Sequence, residues 1–111
     1  RVQLIFLDSR TFRSPLTKGE ARPGFGPYIP GSSGEILGET QWRWLTETVK
    51  APAAFRIIVS SIQVLSEGHG YECWGNFPDE RKRLLALLSG ETPTVLVSGD
   101  RHQGEFSKLP N

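Results

Sequence analysis

At 111 residues and 37% hydrophobic, the chain has room for one domain with a modest core; soluble domains run to about 45–50% apolar when glycine is included. Thirteen basic and twelve acidic residues, dispersed along the chain, give a net charge of +1, which argues against a polybasic nucleic-acid face or a membrane patch. The single cysteine, Cys73, excludes a disulfide or a zinc–thiolate site made from these residues alone, and no long apolar span or signal peptide is read among them.

The chain opens directly on a strand-like run, Val2 to Leu7, as if in the middle of a larger domain. The polar cluster Asp8 to Arg13 follows, then a Gly- and Pro-rich segment over residues 14–34 with little periodicity. Long irregular loops are uncommon in small domains, and a mobile surface loop is the simplest reading. Helix signals begin near Glu39, where Trp42, Leu45 and Val49 make one apolar stripe and Pro52 ends the run. Trp44 lies off that stripe, set to meet the long loop or a cleft. Phe55 to Ile62 predicts a second strand centred on Ile57, Ile58 and Val59.

A glycine-punctuated loop over residues 68–75 carries His69, Cys73 and Trp74. Solvated loop positions account for His69 and Cys73, while Trp74 is expected to pack. A second helix starts at Pro78, with Asp79 and Glu80 complementing its dipole, Leu84, Leu85 and Leu88 as its buried face, and Ser89-Gly90 as its end. The basic run Arg81 to Arg83 reads as its solvated side. Thr94 to Ser98 is the third strand, and Gly104 to Phe106 offers the start of a fourth. This alternation of strand and helix is an α/β arrangement.

Polar residues crowd each strand end: Asp8 with Arg10 and Arg13, Ser60-Ser61 with Gln63, and Asp100 with His102. Open α/β sheets bind ligands beyond the carboxyl ends of their strands. Carboxylate and imidazole in an i, i+2 pair can serve one metal or two adjacent ones. Taken alone, Gly99-Asp100-Arg101-His102 reads more readily as a solvated turn; the repetition at three strand ends shifts the balance.

Five blocks, in order, resemble the PhoD-like (alkaline phosphatase D) phosphatases: Leu7 to Arg13, Ile36 to Leu45, Ser60 to Val64, Trp74 to Leu85, and Ser98 to His102. The resemblance spans nearly the whole chain. It implies part of a metallophosphoesterase-type β-sandwich flanked by helices, with a two-metal centre at strand ends, and a metal-dependent phosphatase or phosphodiesterase acting on phosphate esters. By that analogy Asp100 and His102 are metal ligands, with iron and calcium or another divalent ion as the pair. His102 is then a ligand more than a general acid. Arg10 and Arg13 are substrate-binding, since a guanidinium fork suits phosphate oxygens, and Gln63 lines the site where relatives in the superfamily often carry a histidine. The early ligand blocks of the superfamily, Asp-x-His, Gly-Asp-x-x-Asp and an Asn-His block, do not occur here. Residues 1–111 are therefore expected to be the C-terminal half of a catalytic domain, inactive or nearly so without its N-terminal half, and the family suggests an exported or periplasmic protein.

Two rival readings remain. A serine hydrolase would use Ser60, Ser61 or Ser98 with His69 or His102, but no Gly-x-Ser-x-Gly turn is present. A catalytically silent α/β interaction module would use the Trp- and Pro-rich surface instead.

Overall fold

Three β-branched and aliphatic runs form one parallel sheet: β1 (Val2–Phe6), β4 (Phe55–Ser60) in the centre and β5 (Thr94–Ser98). Val2 lies opposite Phe55 and Phe6 opposite Val59, while Arg56 faces Thr94 and Ser60 faces Ser98. The computed structural model describes residues 1–31 and 33–109. Helices α1 (Glu39–Thr48) and α2 (Pro78–Leu88) follow β1 and β4 in the chain, as parallel connections require. The α/β class expected from the sequence is what the structure shows.

Side chains alternate across a strand, so the register sorts them into two faces. Ile5, Leu7 and Ile58 are buried, and they share one core with Trp42 and Leu45 of α1, Leu84 and Leu88 of α2, and Trp74 and Phe77 between β4 and α2. The opposite face carries Val2, Leu4, Phe6, Phe55, Ile57, Val59, Val95 and Val97; Val2, Leu4, Phe6, Val95 and Val97 are exposed. Both helices therefore serve one side of the sheet, and the other side is apolar and bare.

Polar side chains lock the helices in place. Arg56, buried in the central strand, donates to Val49 O at 2.8 Å and to Gln3 Oε1 at 2.6 Å, while Gln3 donates to Thr48 O. A cation at the C-terminal carbonyls of α1 is favourable there. At the other end of that helix, Gln41 accepts from Asp8 N and donates to Asp8 O and Leu37 O. The start of α1 is thereby tied to the carboxyl end of β1. Trp42 and Trp74 meet edge to face with centroids 6.4 Å apart.

Several expectations need correction. Residues 14–34 are not a free loop: Thr17–Lys18 (β2) pairs antiparallel with Tyr28–Ile29 (β3). Gly26 N donates to His69 O and Tyr28 N to Gly70 O, both within 2.9 Å. Gly26 and Gly70 approach so closely that a β-carbon on either would run into the backbone of the other. The central strand stops at Ser60, after which Ile62 turns into the core. No fourth strand forms at Gly104 to Phe106, which is irregular and exposed. Trp44, off the apolar stripe of α1, is 47% exposed. Arg81 is not on a solvated face; it donates to Val64 O at 2.7 Å and Leu65 O at 3.2 Å. Among the described residues, no helix is long and apolar enough to cross a membrane.

Candidate functional site

Because all three strands of the main sheet run parallel, their carboxyl ends share one edge. The turn after β1 is built on Asp8. Its Oδ1 accepts from Arg10 N at 3.1 Å and Thr11 N at 3.0 Å. The Thr11 hydroxyl and these two N–H groups hold the Asp8 carboxyl below its ordinary value. Ser9 turns inward and pairs with Ser61 beyond the end of β4.

That turn delivers two arginines to one acid. Arg13 Nε lies 3.0 Å from Glu72 Oε2, and Arg10 Nη1 lies 3.5 Å from Glu72 Oε1. The Glu72 side chain is 16% exposed and Arg13 22%, whereas Arg10 is 65% exposed. The Arg13 contact is an ion pair more than an aligned hydrogen bond: both atoms are buried and neither has a hydrogen-bond partner. Arg13 also donates from Nη1 to Ser14 O at 3.1 Å.

Beyond β5 the chain turns sharply. Asp100 and His102 have positive φ values of 77° and 59°, an arrangement L-residues adopt only at a cost, and Asp and His more readily than most. Both are exposed. Between them Arg101 lies over the Tyr71 ring, 4.5 Å from its centroid. Tyr71 is the neighbour of Glu72 in sequence, so the loop holding the two arginines also touches the Asp100–His102 turn.

The His69 imidazole begins this same loop. It is not fully solvated as expected: Nδ1 accepts from Tyr71 N at 3.0 Å, and Nε2 is buried without a partner. Burial first, then the Arg101 charge, lowers its pKa below 6.5. Cys73 is buried, and burial pushes its thiol pKa up, so it stays protonated at neutral pH.

The structure separates Gln63 from the arginines. It is 9% exposed and donates to Glu105 Oε2 at 3.2 Å, while its Oε1 is buried without a partner. The Ser66 hydroxyl, followed by that of Ser107 and the amides of Gln63 and Gln103, lowers the Glu105 pKa. Gln63, Ser66, Glu105 and Ser107 line a groove of about 610 Å³ between β5 and residues 105–109. Ser60 Oγ donates to Ile62 O at 2.8 Å and accepts from Trp74 Nε1 at 3.0 Å. Among the described residues, neither Ser60 nor Ser61 has a histidine as a hydrogen-bond partner, so both act as fasteners of the strand end.

The structure thus brings Arg10 and Arg13 together and sets Asp100 beside His102 on one turn at the same sheet edge. Asp100 and His102 are oxygen and nitrogen donors suited to first-row metals. Two donors do not complete a centre, and among the described residues no group of three or more His, Cys, Asp or Glu is placed to hold a metal ion. Glu72, Tyr71 and Glu105 join the site without a signal in the sequence. Each is a single residue in an irregular segment, where neither periodicity nor motif spacing marks it.

The sequence model of one family, described as PhoD-like phosphatase, matches residues 1–111. No curated protein and no solved structure shows a significant match to the chain.

Proposed function

The chain belongs to the PhoD-like phosphatase family, and from that premise we propose that its carboxyl edge handles the phosphoryl group in a metal-dependent hydrolase of phosphate esters. The observation that carries this reading is the shared edge: parallel β1 and β5 bring two arginines and an Asp–His pair to the same side of one sheet.

Arg10 and Arg13 supply fixed positive charge for the phosphoryl oxygens. Such charge counts most where negative charge builds in the transition state. Arg10, the more exposed, has the reach to meet a substrate oxygen, while Arg13 sits deeper against Glu72. Gln63, bonded to Glu105, lies apart from the arginines in the groove beside β5. Asp100 and His102 present two ligands for a metal pair, iron with calcium or another divalent ion. When bound, such a pair lowers the pKa of a water so that it serves as the nucleophile. The remaining ligands come from polypeptide outside residues 1–111, which would also cover the bare apolar face of the sheet. On this reading the chain by itself is inactive or nearly so.

The test uses the protein that carries this chain together with the segment supplying the other ligands. Hydrolysis of a chromogenic phosphate monoester and diester is measured beside metal content, with and without chelator. His102→Ala is expected to lower metal content and activity together. Unchanged metal stoichiometry in that variant would remove His102 from the ligand set. Hydrolysis that survives chelation would overturn the metal-dependent reading, and no hydrolysis from the metal-loaded protein would leave an interaction module.

A further inference from the structure

We propose that Glu72 is a positioning residue for the phosphate site, the post against which Arg10 and Arg13 are held in reach of the phosphoryl oxygens. This role rests on the reading of the arginines given above. Two guanidiniums are always charged and repel each other at short range. Glu72 lets them share one place by meeting Arg13 Nε at 3.0 Å and Arg10 Nη1 at 3.5 Å. Its own backbone is well fixed. On one side Gly70 is bound to Tyr28 N and crowded by Gly26; on the other Trp74 N donates to Gln63 O and the indole is fully buried.

The arginines have little else to hold them. Among the described residues, the Arg10 side chain has Glu72 as its ion-pair partner and no side-chain hydrogen bond, and Arg13 has in addition only Ser14 O. The looseness is informative. Arg13 Nε and Glu72 Oε2 face each other in the interior without an aligned hydrogen bond, so the pair is set by charge and leaves donor capacity unspent. An anion arriving at the edge can take up Arg10 without dismantling the Arg13 contact.

Glu72 has two opposing effects on an incoming phosphate. Its negative charge weakens binding, and its hold on two long side chains strengthens it by sparing them the ordering that binding otherwise demands. Positioning two arginines outweighs one charge already shared between them. The two effects predict opposite signs for the isosteric neutral variant, and that makes the role testable.

The protein that carries this chain together with the segment supplying the other ligands is titrated with inorganic phosphate, followed by phosphorus NMR, as wild type, Glu72→Gln and Glu72→Asp, with Arg10→Ala and Arg13→Ala as controls. Positioning predicts that Gln and Asp at 72 each weaken phosphate binding by about fivefold or more, Gln despite removing a negative charge and Asp despite keeping one. Tighter binding with Gln and no change with Asp would overturn the proposal and leave Glu72 as a bystander charge. Should Glu72→Gln not fold, judged by thermal unfolding, the Asp variant decides the same question. If the arginine controls lose binding while both Glu72 variants keep it, the phosphate reading stands and the positioning role falls. If wild type binds no phosphate, both fall.

Discussion

Glu80 receives the indole N–H of Trp42 on both carboxylate oxygens, at 3.1 and 3.0 Å, and the Ile36 N–H at 2.8 Å, all in the protein interior. From above, Arg83 lies over the Trp42 ring, 4.3 Å from its centroid. One acid thereby joins α2, α1 and the chain leading into α1. Removing it strands two buried donors, so Glu80→Ala is expected to cost about 2–4 kcal/mol. Glu80→Gln, which keeps an acceptor oxygen, should cost less. Urea unfolding of the two variants checks the order, and equal losses would mean that one acceptor oxygen is not enough and the full carboxylate is required.

The turn at Asp100 separates backbone strain from chemistry. With φ at 77°, a β-carbon without a local polar partner is penalised by about 1 kcal/mol, whereas glycine is not. Asp100→Ala should lower stability by about that amount and Asp100→Gly by close to nothing, while both abolish the proposed metal contribution. Thermal unfolding beside metal content tells the two apart. A Gly variant as unstable as Ala would show that the side chain itself supports the turn.

Protonation of His69 opposes folding. Its pKa in the folded chain lies below 6.5, so its contribution to stability is complete above that value and is lost as the pH falls through the folded-state pKa. Protonating Nδ1 would also end its acceptance of Tyr71 N–H. Wild type is expected to lose stability as the pH falls below 6.5, and His69→Gln to flatten that slope. A slope unchanged in the variant would assign the loss to other groups. The Asp8 carboxyl acts on a lower window: held below 3.8, it stabilises above that value and ceases to do so as acid takes the pH through its folded-state pKa.

Gly70 and Gly26 clasp the segment 14–34 to the 69–72 loop. Gly70 has φ at 82° as well as the backbone of Gly26 beside it, so Gly70→Ala is expected to cost about 2–3 kcal/mol. It should also open residues 14–34 to limited proteolysis. Resistance equal to wild type would mean the segment is held by β2 and β3 alone.

What the sequence disclosed and what it hid follow from the range of the forces involved. The strands and the apolar stripe of α1 are local patterns, and spacing alone places Trp42, Leu45 and Leu84 in the core. The polar strand ends are visible as residue types, and parallel pairing brings them to one edge. Glu80 is not legible, because an acid in a first helical turn already has a sufficient reason in the dipole; its burial under Trp42 depends on a partner 38 residues away. Glu72 is similar, an acid in a loop whose meaning comes from Arg10 and Arg13, some sixty positions earlier. The docking of residues 14–34 depends on two glycines meeting across the fold, and a glycine-rich run alone does not distinguish a clasp from a free loop. Gln63 is marked by its place after β4, but its contact with Glu105 lies in an irregular segment with no pattern to read.

The strand order has a consequence in time. β1 waits for a partner more than fifty residues downstream, and that partner sits between β1 and a strand nearly forty residues further on. No hairpin in the main sheet provides an early nucleus, and distant pairings close slowly. During synthesis, therefore, the edge bearing the arginines and the Asp–His turn does not exist until the ribosome has passed His102. Until Ser60 has been made, the apolar run of β1 has no mate, and until Ser98 the central strand lacks its second neighbour, so the growing sheet is at its most prone to sticking to other chains.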